Sequence, residues 1–250
     1  MKRAAPAVLA ALSLATLTAC GGDSGSDTDA AENPAATASQ EKQKKEKQEK
    51  TPEERLKQLV ITKADVSGMS VDDADVASSD NSEFAFAKSQ QEVKVDKPVC
   101  APLAYAMNQL PVGEPQADLT RSVTSALNEP FTYVMLTAYE PGKAASALAG
   151  LSEAVDACTG GFTAKANGNT SAYDSVTAEK PVAAAGDESL AFRSTLTFRG
   201  ATHTVHTQAV RSGEVVAVYF SVDGLAIANA RPSDAKLSSA VVKAQNTKLG

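Results

Sequence analysis

The first 19 residues of this chain have the pattern of an export signal, which is cleaved off and is therefore not part of the folded protein. Lys2 and Arg3 precede a run of 14 mostly apolar residues, 4–17. A helix that crosses a bilayer needs about 20 apolar residues, so the shorter run is typical of a secretory signal peptide. We therefore expect residues 1–19 to be cleaved and the fold to be built from the residues that follow.

The end of this apolar run predicts a lipid anchor. Leu17-Thr18-Ala19-Cys20 has the pattern of a lipobox, and Gly21 follows the cysteine. In such a signal the cysteine becomes the first mature residue and carries a diacylglycerol thioether. One acyl chain holds a protein only marginally, whereas two or three chains anchor it stably. Cys20 is therefore the predicted lipid-attachment site of a lipoprotein on the extracytoplasmic face of the cell membrane. The alternative is a secreted protein whose Cys20 lies there by chance.

The charge of the chain restricts its partners. The formal net charge is −6, and removing residues 1–19 takes away two basic residues and no acidic one. A negatively charged domain lacks the basic surface that nucleic acids require. The charge also disfavours docking onto anionic lipid headgroups. We therefore expect no nucleic-acid partner and membrane contact only through the lipidated N-terminus.

The cysteines predict one disulfide. The chain has three cysteines, and Cys20 is assigned to the lipid, which leaves Cys100 and Cys158. Outside the cytoplasm such a pair is expected to be oxidised. Each lies on the apolar face of a predicted helix, so a bridge between the two helices is plausible. The alternative is two separate buried thiols.

Residues 20–50 are predicted to be a lipidated cysteine followed by a disordered linker. Residues 21–40 contain almost no large apolar side chain and cannot bury enough surface to fold. The cluster Asp23, Asp27 and Asp29 could suggest a calcium loop. Thr28 and Pro34, however, occupy the positions where an EF-hand requires glycine and glutamate. The linker is therefore expected to be solvated, without bound metal.

Residues 51–250 are predicted to form a single α+β domain, a twisted antiparallel sheet with helices packed on it. Thr51, Pro52 and Glu54 predict a capped helix that ends near residue 59. Further helices are predicted at 100–110, 141–158 and 232–249. Strands are predicted at 69–72, 83–87, 91–95, 118–127, 131–140, 162–166, 171–177, 188–199, 201–211 and 214–223, with turns at Asn167-Gly168-Asn169, Gly200 and Ser212-Gly213.

The sequence contains no pattern that predicts catalysis or metal binding. His203 and His206 are the only histidines. They are three residues apart in a predicted strand, so they should point to opposite faces and cannot share a metal ion. The segment around Ser70 lacks the second glycine of a nucleophile elbow. Asp72, Asp73 and Asp75 lie in a polar loop without aromatic residues for a sugar. We expect no enzymatic activity and no cofactor.

Five segments resemble the extracellular sensor-like domain of mycobacterial PknH-type kinases, a domain also found on actinobacterial lipoproteins. The resemblance covers about residues 59–248 and rests on the order of these segments, which are residues 59–66, 100–103, 154–158, 186–191 and 211–218. It implies a twisted antiparallel sheet with packed helices and a cleft for an unidentified ligand. The extracellular domains of these kinases have two disulfides and contain tryptophans, whereas this chain can form one disulfide and has no tryptophan.

These observations predict a non-enzymatic, cell-surface lipoprotein with a ligand-binding or sensor-like domain. Its partner would be a small ligand or a protein of the cell envelope. One alternative is a lipid or glycolipid carrier, which would need a large apolar cavity. Another is a structural lipoprotein that binds an envelope partner, which would need a flat apolar patch over a filled core. A small polar cleft would favour the ligand-binding domain.

Overall fold

A computed structural model describes residues 50–74 and 87–250, all within one compact unit that spans residues 48–250. The helices in these residues are α1 Pro52–Leu59, α2 Ala101–Ala106, α3 Lys143–Ala157, α4 Gly224–Ala228 and α5 Ser239–Leu249. The strands are β1 Ser70–Asp73, β2 Lys94–Val95, β3 Ala117–Thr124, β4 Phe131–Ala138, β5 Phe162–Ala166, β6 Asn169–Glu179, β7 Glu188–Phe198, β8 Ala201–Ser212, β9 Val215–Val222 and β10 Ser233–Ala235. None of the described helices has the length and hydropathy of a membrane crossing.

One sheet contains all ten described strands, in the order β1-β3-β4-β9-β8-β7-β6-β5-β2, with β10 added beside β8. Every pair is antiparallel except β10 and β8, which run parallel. The α+β fold with an antiparallel sheet and packed helices is therefore confirmed. The signal peptide, Cys20 and residues 20–49 of the linker lie outside the described residues, so those predictions stay predictions.

Two tight turns set the register of the long strands. Asn167 and Gly168 join β5 to β6 with φ angles of 49° and 75°. Arg199 and Gly200 join β7 to β8 with φ angles of 51° and 78°. Positive φ at both turn residues is what a type I′ hairpin requires, and glycine adopts it readily. The sequence placed both turns correctly.

The sheet buries an apolar core on each face. On one face, α2 and α3 pack through Leu103, Leu148 and Leu151 against side chains of β4–β9. On the other face, α1 and α5 pack through Leu56 and Val241 against β3, β4, β8 and β9. Because side chains alternate along a strand, successive residues of the central strands enter opposite cores. The two faces of the sheet are therefore separate environments.

The disulfide lies inside the core on the face of the sheet that carries α2 and α3. Cys100 and Cys158 are bonded, with Cα atoms 6.0 Å apart, and both are fully buried. Neither cysteine lies within an α-helix, contrary to the prediction. Cys100 ends a short 3₁₀ turn before α2, and Cys158 caps the end of α3. The bridge therefore connects the start of one helix to the end of another.

Several predicted elements differ from the structure. The helix predicted at 232–249 is wrong at its start, because Ser233–Ala235 pairs with β8 as a strand and α5 begins only at Ser239. The helix predicted at 100–110 covers only Ala101–Ala106, since Gln109 adopts a left-handed φ of 56°. In the segment 91–95 only Lys94–Val95 is strand. Of the strand predicted at 83–87, residues 83–86 lie outside the described residues.

Candidate functional site: a cleft where two central strands diverge

The sheet opens between β8 and β9. The two strands pair only from Thr207 opposite Phe220 to the turn that joins them. Beyond this point the end of β9 still pairs with β4, up to Val222 opposite Phe131. The freed edge of β8 pairs instead with β10, which follows α4. A wedge therefore opens at this end of the sheet, with α4 and β10 on one side.

A cleft of about 250 Å³ occupies this wedge on the face that carries α2 and α3. Its walls come from the end of α2, from β4, β6, β7, β8 and β9, and from α4 and β10. The lining residues are Met107, Asn108, Gln109, Tyr133, Ser171, Tyr173, Leu196, His203, Thr204, Val205, Phe220, Ser221, Val222, Asp223, Ile227 and Ser233. The cleft thus combines aromatic and aliphatic side chains with a few polar groups, as small-molecule sites commonly do.

Aromatic rings form rigid parts of the wall. Tyr133 stacks on Phe220 with ring centroids 4.8 Å apart, and Tyr173 stacks on Phe162 at 4.5 Å. The Tyr173 hydroxyl accepts a hydrogen bond from Asn108 Nδ2 at 3.0 Å. Burial raises the pKa of Tyr173, so its hydroxyl stays neutral. Because it accepts from Asn108, the hydroxyl still has a proton to donate.

His203 is the central polar group of the cleft. Its side chain is buried, with the residue 1% exposed, and its Nδ1 lies 2.8 Å from Ser233 Oγ. Its Nε2 is buried and has no hydrogen-bond partner among the described residues. Buried polar atoms are nearly always hydrogen-bonded because an unpaired one pays its full desolvation cost. His203 is thus a residue of the cleft wall with one hydrogen-bonding position unfilled by the described residues.

The His203–Ser233 pair does not have the arrangement of a catalytic triad. In a serine nucleophile site, the base nitrogen that faces away from the serine is held by a third group. Here that nitrogen is Nε2, which no described residue holds. The serine instead fixes the orientation of the imidazole ring.

The cleft offers little charge. Among the described residues that line it there is no lysine or arginine, and the one carboxylate is that of Asp223. Asp223 Oδ1 accepts a hydrogen bond from the Ala226 amide at 2.8 Å, which caps α4. The carboxylate thus already has a structural role.

His206 lies on the opposite face of β8, as predicted. Its Nδ1 is 2.7 Å from Glu179 Oε2, and its Nε2 is 2.6 Å from Asp234 Oδ1. Lys236 Nζ contacts both the imidazole and Asp234. Lys236 and then His206 lower the pKa of Asp234. A second cavity of about 320 Å³ borders this cluster. Because both His206 nitrogens have partners, this cluster needs no ligand to satisfy its ring.

The other sequence candidates lie away from the cleft. Asp73 pairs with Arg121 on the neighbouring strand, and Asp72 lies on the same edge strand. Asp75 lies outside the described residues. Within the described residues, no group of three or more His, Cys, Asp or Glu side chains is arranged to hold a metal. Asp72 does border a third, open cavity of about 450 Å³ between β1 and the β3–β4 turn.

Sequence analysis considered His203 only as a histidine that cannot share a metal ion with His206, and it placed neither His203 nor its surroundings in a binding site. Tyr173, Leu196, Asp223 and Ser233 come from four different elements, with no shared motif or spacing. The signal that could have been used was His203 itself, a histidine that shares one face of its strand with the apolar Ala201 and Val205. Its partner Ser233 is 30 residues away and was assigned to a helix.

The comparisons with known proteins found similarity among solved structures at low sequence identity. No protein-family model and no curated protein matches the chain. The fold is similar to the extracellular domain of PknH from Mycobacterium tuberculosis, with 12% identity, a TM-score of 0.48, and coverage of 79% of this chain and 93% of that domain. It is also similar to an uncharacterised protein from Mycobacterium smegmatis, the Rv0999 ortholog, with 10% identity, a TM-score of 0.35, and coverage of 74% and 86%. The extracellular domain of PknH, the type of domain expected from the sequence, is thus among the structural neighbours of this chain. Likeness at this level carries no ligand or activity over to this chain.

Proposed function

We propose that this protein is a non-enzymatic, extracytoplasmic lipoprotein whose globular domain binds a small ligand in the cleft between β8 and β9. The observation that carries the proposal is His203, a residue of the cleft wall whose buried Nε2 has no hydrogen-bond partner among the described residues. Ser233 holds the ring from its other side. The binding group is therefore pre-oriented, which lowers the entropic cost of binding.

The cavities favour a small ligand over a carried acyl chain. The cleft measures about 250 Å³, and its wall includes polar side chains such as Asn108, His203 and Asp223. Small-molecule sites typically measure about 300–1,000 Å³, so this cleft is just below that range and suits a molecule smaller than a typical drug. A lipid carrier needs a long apolar cavity, which this cleft does not provide.

The surface gives less support to a partner-binding role. The large hydrophobic residues exposed among the described residues are Val99, Leu127, Val182 and Leu225. They lie on four separate segments: the turn before α2, the β3–β4 turn, the β6–β7 connection and α4. Single exposed apolar residues are common on protein surfaces, and only contiguous patches indicate an interface.

Two features support the extracytoplasmic location. The N-terminal residues have the pattern of a lipoprotein signal, and the domain contains a disulfide between Cys100 and Cys158. Disulfides persist in oxidising compartments and are rare in the cytoplasm.

Replacement of the anchoring cysteine tests the location. We expect Cys20→Ala to release the protein into the soluble fraction, or to leave the precursor uncleaved, because no thiol remains for lipid attachment. Cell fractionation and intact mass measure both results, with Ser24→Ala as a matched control in the linker. A Cys20→Ala protein that stays in the membrane with the mass of the wild type would show that lipid is not attached there.

Native mass spectrometry tests ligand binding in the cleft. The full-length protein is purified in detergent and incubated with a small-molecule extract of its source cells. We expect a small-molecule adduct on the wild type and on His206→Gln, a control on the other face of β8. The adduct should be lost in His203→Phe and in Ile227→Trp, which fills the cleft. No adduct on the wild type, or one that survives both cleft substitutions, would overturn the proposal.

A further inference from the structure

We infer that the ligand of this cleft is a small, uncharged molecule with a flat apolar body and a hydroxyl or carbonyl group that binds His203 Nε2. This inference rests on the proposed function and adds the chemical class of the ligand. It follows from three properties of the cleft: its charge, the placement of its polar groups and its size.

The charge of the cleft disfavours both anions and cations. A buried ion needs a partner of opposite charge, because its desolvation is otherwise too costly. The described lining has no lysine or arginine for an anion. The one carboxylate, Asp223, already caps α4 through the Ala226 amide. A cation could instead bind an aromatic face, but Tyr133 and Phe220 each use one face against the other. An uncharged ligand avoids these costs.

Two polar side chains of the cleft, those of Tyr173 and His203, lie on either side of the apolar Leu196. Tyr173 on β6 is opposite Leu196 on β7, which is opposite His203 on β8. These three residues therefore form a row across one face of the sheet. Since neighbouring strands lie about 4.8 Å apart, the ends of the row are separated by about 10 Å. A flat apolar body over Leu196 would contact both polar ends.

The hydrogen-bonding capacity of the row matches a hydroxyl or carbonyl group. The Ser233 hydroxyl can donate to His203 Nδ1 or accept from it. In the first case a neutral ring presents an N–H at Nε2, and in the second it presents an acceptor. The Tyr173 hydroxyl accepts from Asn108 and can donate to a ligand oxygen. A hydroxyl group can satisfy either form of His203, and a carbonyl satisfies the donor form.

The size of the cleft limits the ligand to one or two rings. A volume of about 250 Å³ is below the usual range for drug-sized ligands, and it corresponds to roughly 10–15 non-hydrogen atoms. The stacked rings of Tyr133 and Phe220 favour a planar body, because offset stacking and edge contacts require a flat partner.

A matched set of probes tests the chemical class. The probes are 2-naphthol, naphthalene, 2-naphthoate and 2-naphthylmethylammonium, which share a ring system and differ in the polar group. The chain has no tryptophan, so Tyr133→Trp places a single fluorescent reporter in the cleft of the full-length protein. Titration at pH 7 then gives a Kd for each probe.

We expect 2-naphthol to bind at least about tenfold more tightly than the other three probes, since one hydrogen bond to a buried group is worth about a factor of ten. His203→Phe in the reporter background should remove this preference over naphthalene. His206→Gln should leave it unchanged. If His203→Phe does not fold, as judged by circular dichroism, Ile227→Trp in the Tyr133 protein should abolish 2-naphthol binding by calorimetry.

Each contrary result has a distinct meaning. A charged probe that binds as tightly as 2-naphthol, or a 2-naphthol preference that survives His203→Phe, would overturn the assigned ligand class and leave the proposed function standing. The same holds if none of the four probes binds while a natural small molecule still binds in the mass-spectrometric test. Failure of all probes together with the absence of any natural adduct would overturn both proposals.

Discussion

Gly161 illustrates how a single residue position can be restricted by backbone packing. Its φ is +76°, and a Cβ atom there would overlap the Tyr173 carbonyl oxygen and lie 2.8 Å from the Asp174 carbonyl. This contact occurs where β6 has a register shift between Tyr173 and Ser175. The bulged strand therefore requires a residue without a side chain beside it.

We expect Gly161→Ala to lower the free energy of unfolding by roughly 2–4 kcal/mol, because it adds both steric overlap and an unfavourable φ. The neighbouring Gly160 is a matched control, since nothing lies within 4 Å of a Cβ atom built there. Gly160→Ala should change the stability by less than about 0.5 kcal/mol. Urea denaturation measures both. Equal effects of the two substitutions would contradict the role of close packing.

The hydrogen bonds of the Asp65 carboxylate make the stability of the folded protein depend on pH. Its Oδ2 accepts hydrogen bonds from Thr62 Oγ1 and the Thr62 amide, both at 2.7 Å, and Lys248 Nζ lies 3.3 Å away. The Thr62 hydroxyl, the Thr62 amide and Lys248 lower the pKa of Asp65 in the folded protein. The unfolded state keeps a pKa of about 3.9. The stabilisation is therefore complete above that pH and is lost as the pH falls through the lower folded pKa.

Asp65→Asn should destabilise the protein by about 1 kcal/mol at pH 7, and the difference from the wild type should shrink towards pH 3. Chemical denaturation across this pH range measures the difference. Glu153→Gln, an exposed change on α3, serves as the control and should have little effect. A difference that stays constant from pH 7 to pH 3 would show that the carboxylate charge does not stabilise the fold.

At the scale of elements, α5 is held to α1 by one buried side chain. Gln245 is fully buried, its Oε1 accepts from the Ile61 amide at 2.7 Å, and its Nε2 donates to the Leu59 carbonyl at 2.8 Å. The two segments are 184 residues apart in the chain. Gln245 thus provides hydrogen-bond partners for two backbone groups at the end of α1 that have no partner within a helix or a strand.

We expect Gln245→Leu to cost about 2–4 kcal/mol, because it leaves a buried amide and a buried carbonyl without partners. Hydrogen exchange provides the specific measurement: the Ile61 amide should exchange faster in Gln245→Leu. Lys243→Ala, an exposed change on the same helix, should alter neither quantity. An unchanged exchange rate at Ile61 would show that the side chain does not protect this amide.

At the scale of the whole molecule, the disulfide closes a loop with a sequence separation of 58 residues. This loop contains α2, β3, β4 and α3. In the chain-entropy model, closing a loop of this length stabilises the folded state by about 4 kcal/mol. That contribution is a large part of a typical stability of about 5–15 kcal/mol.

Removal of the bridge should therefore weaken the domain strongly. We expect Cys100→Ala/Cys158→Ala to unfold at a clearly lower temperature than the oxidised wild type, and reduction of the wild type to have a similar effect. Thermal melting with and without reductant measures this. Two titratable thiols in the native, oxidised protein would refute the bridge, and an unchanged melting temperature would refute its importance.

Local signals in the sequence were sufficient for many elements of this fold. The turns at Asn167-Gly168 and Gly200, the strands around them and the capping box at Thr51 and Glu54 were predicted correctly, because each depends on neighbours in the chain. The Cys100–Cys158 pairing was also predicted, on the expectation that Cys20 carries the lipid, and the structure contains this bond. Alternation placed His203 and His206 on opposite faces of one strand.

Only the tertiary structure decided the candidate site. Ser233–Ala235 becomes a strand because β9 leaves β8 after Phe220 and exposes an edge that the later segment can pair with. A three-residue parallel strand has no periodicity of its own, and the helical spacing of Leu237 and Val241 conceals it. The cleft then forms from residues of eight elements that meet at this divergence. Sequence periodicity reports how neighbours in the chain alternate, whereas the free edge of a sheet depends on where distant strands stop pairing.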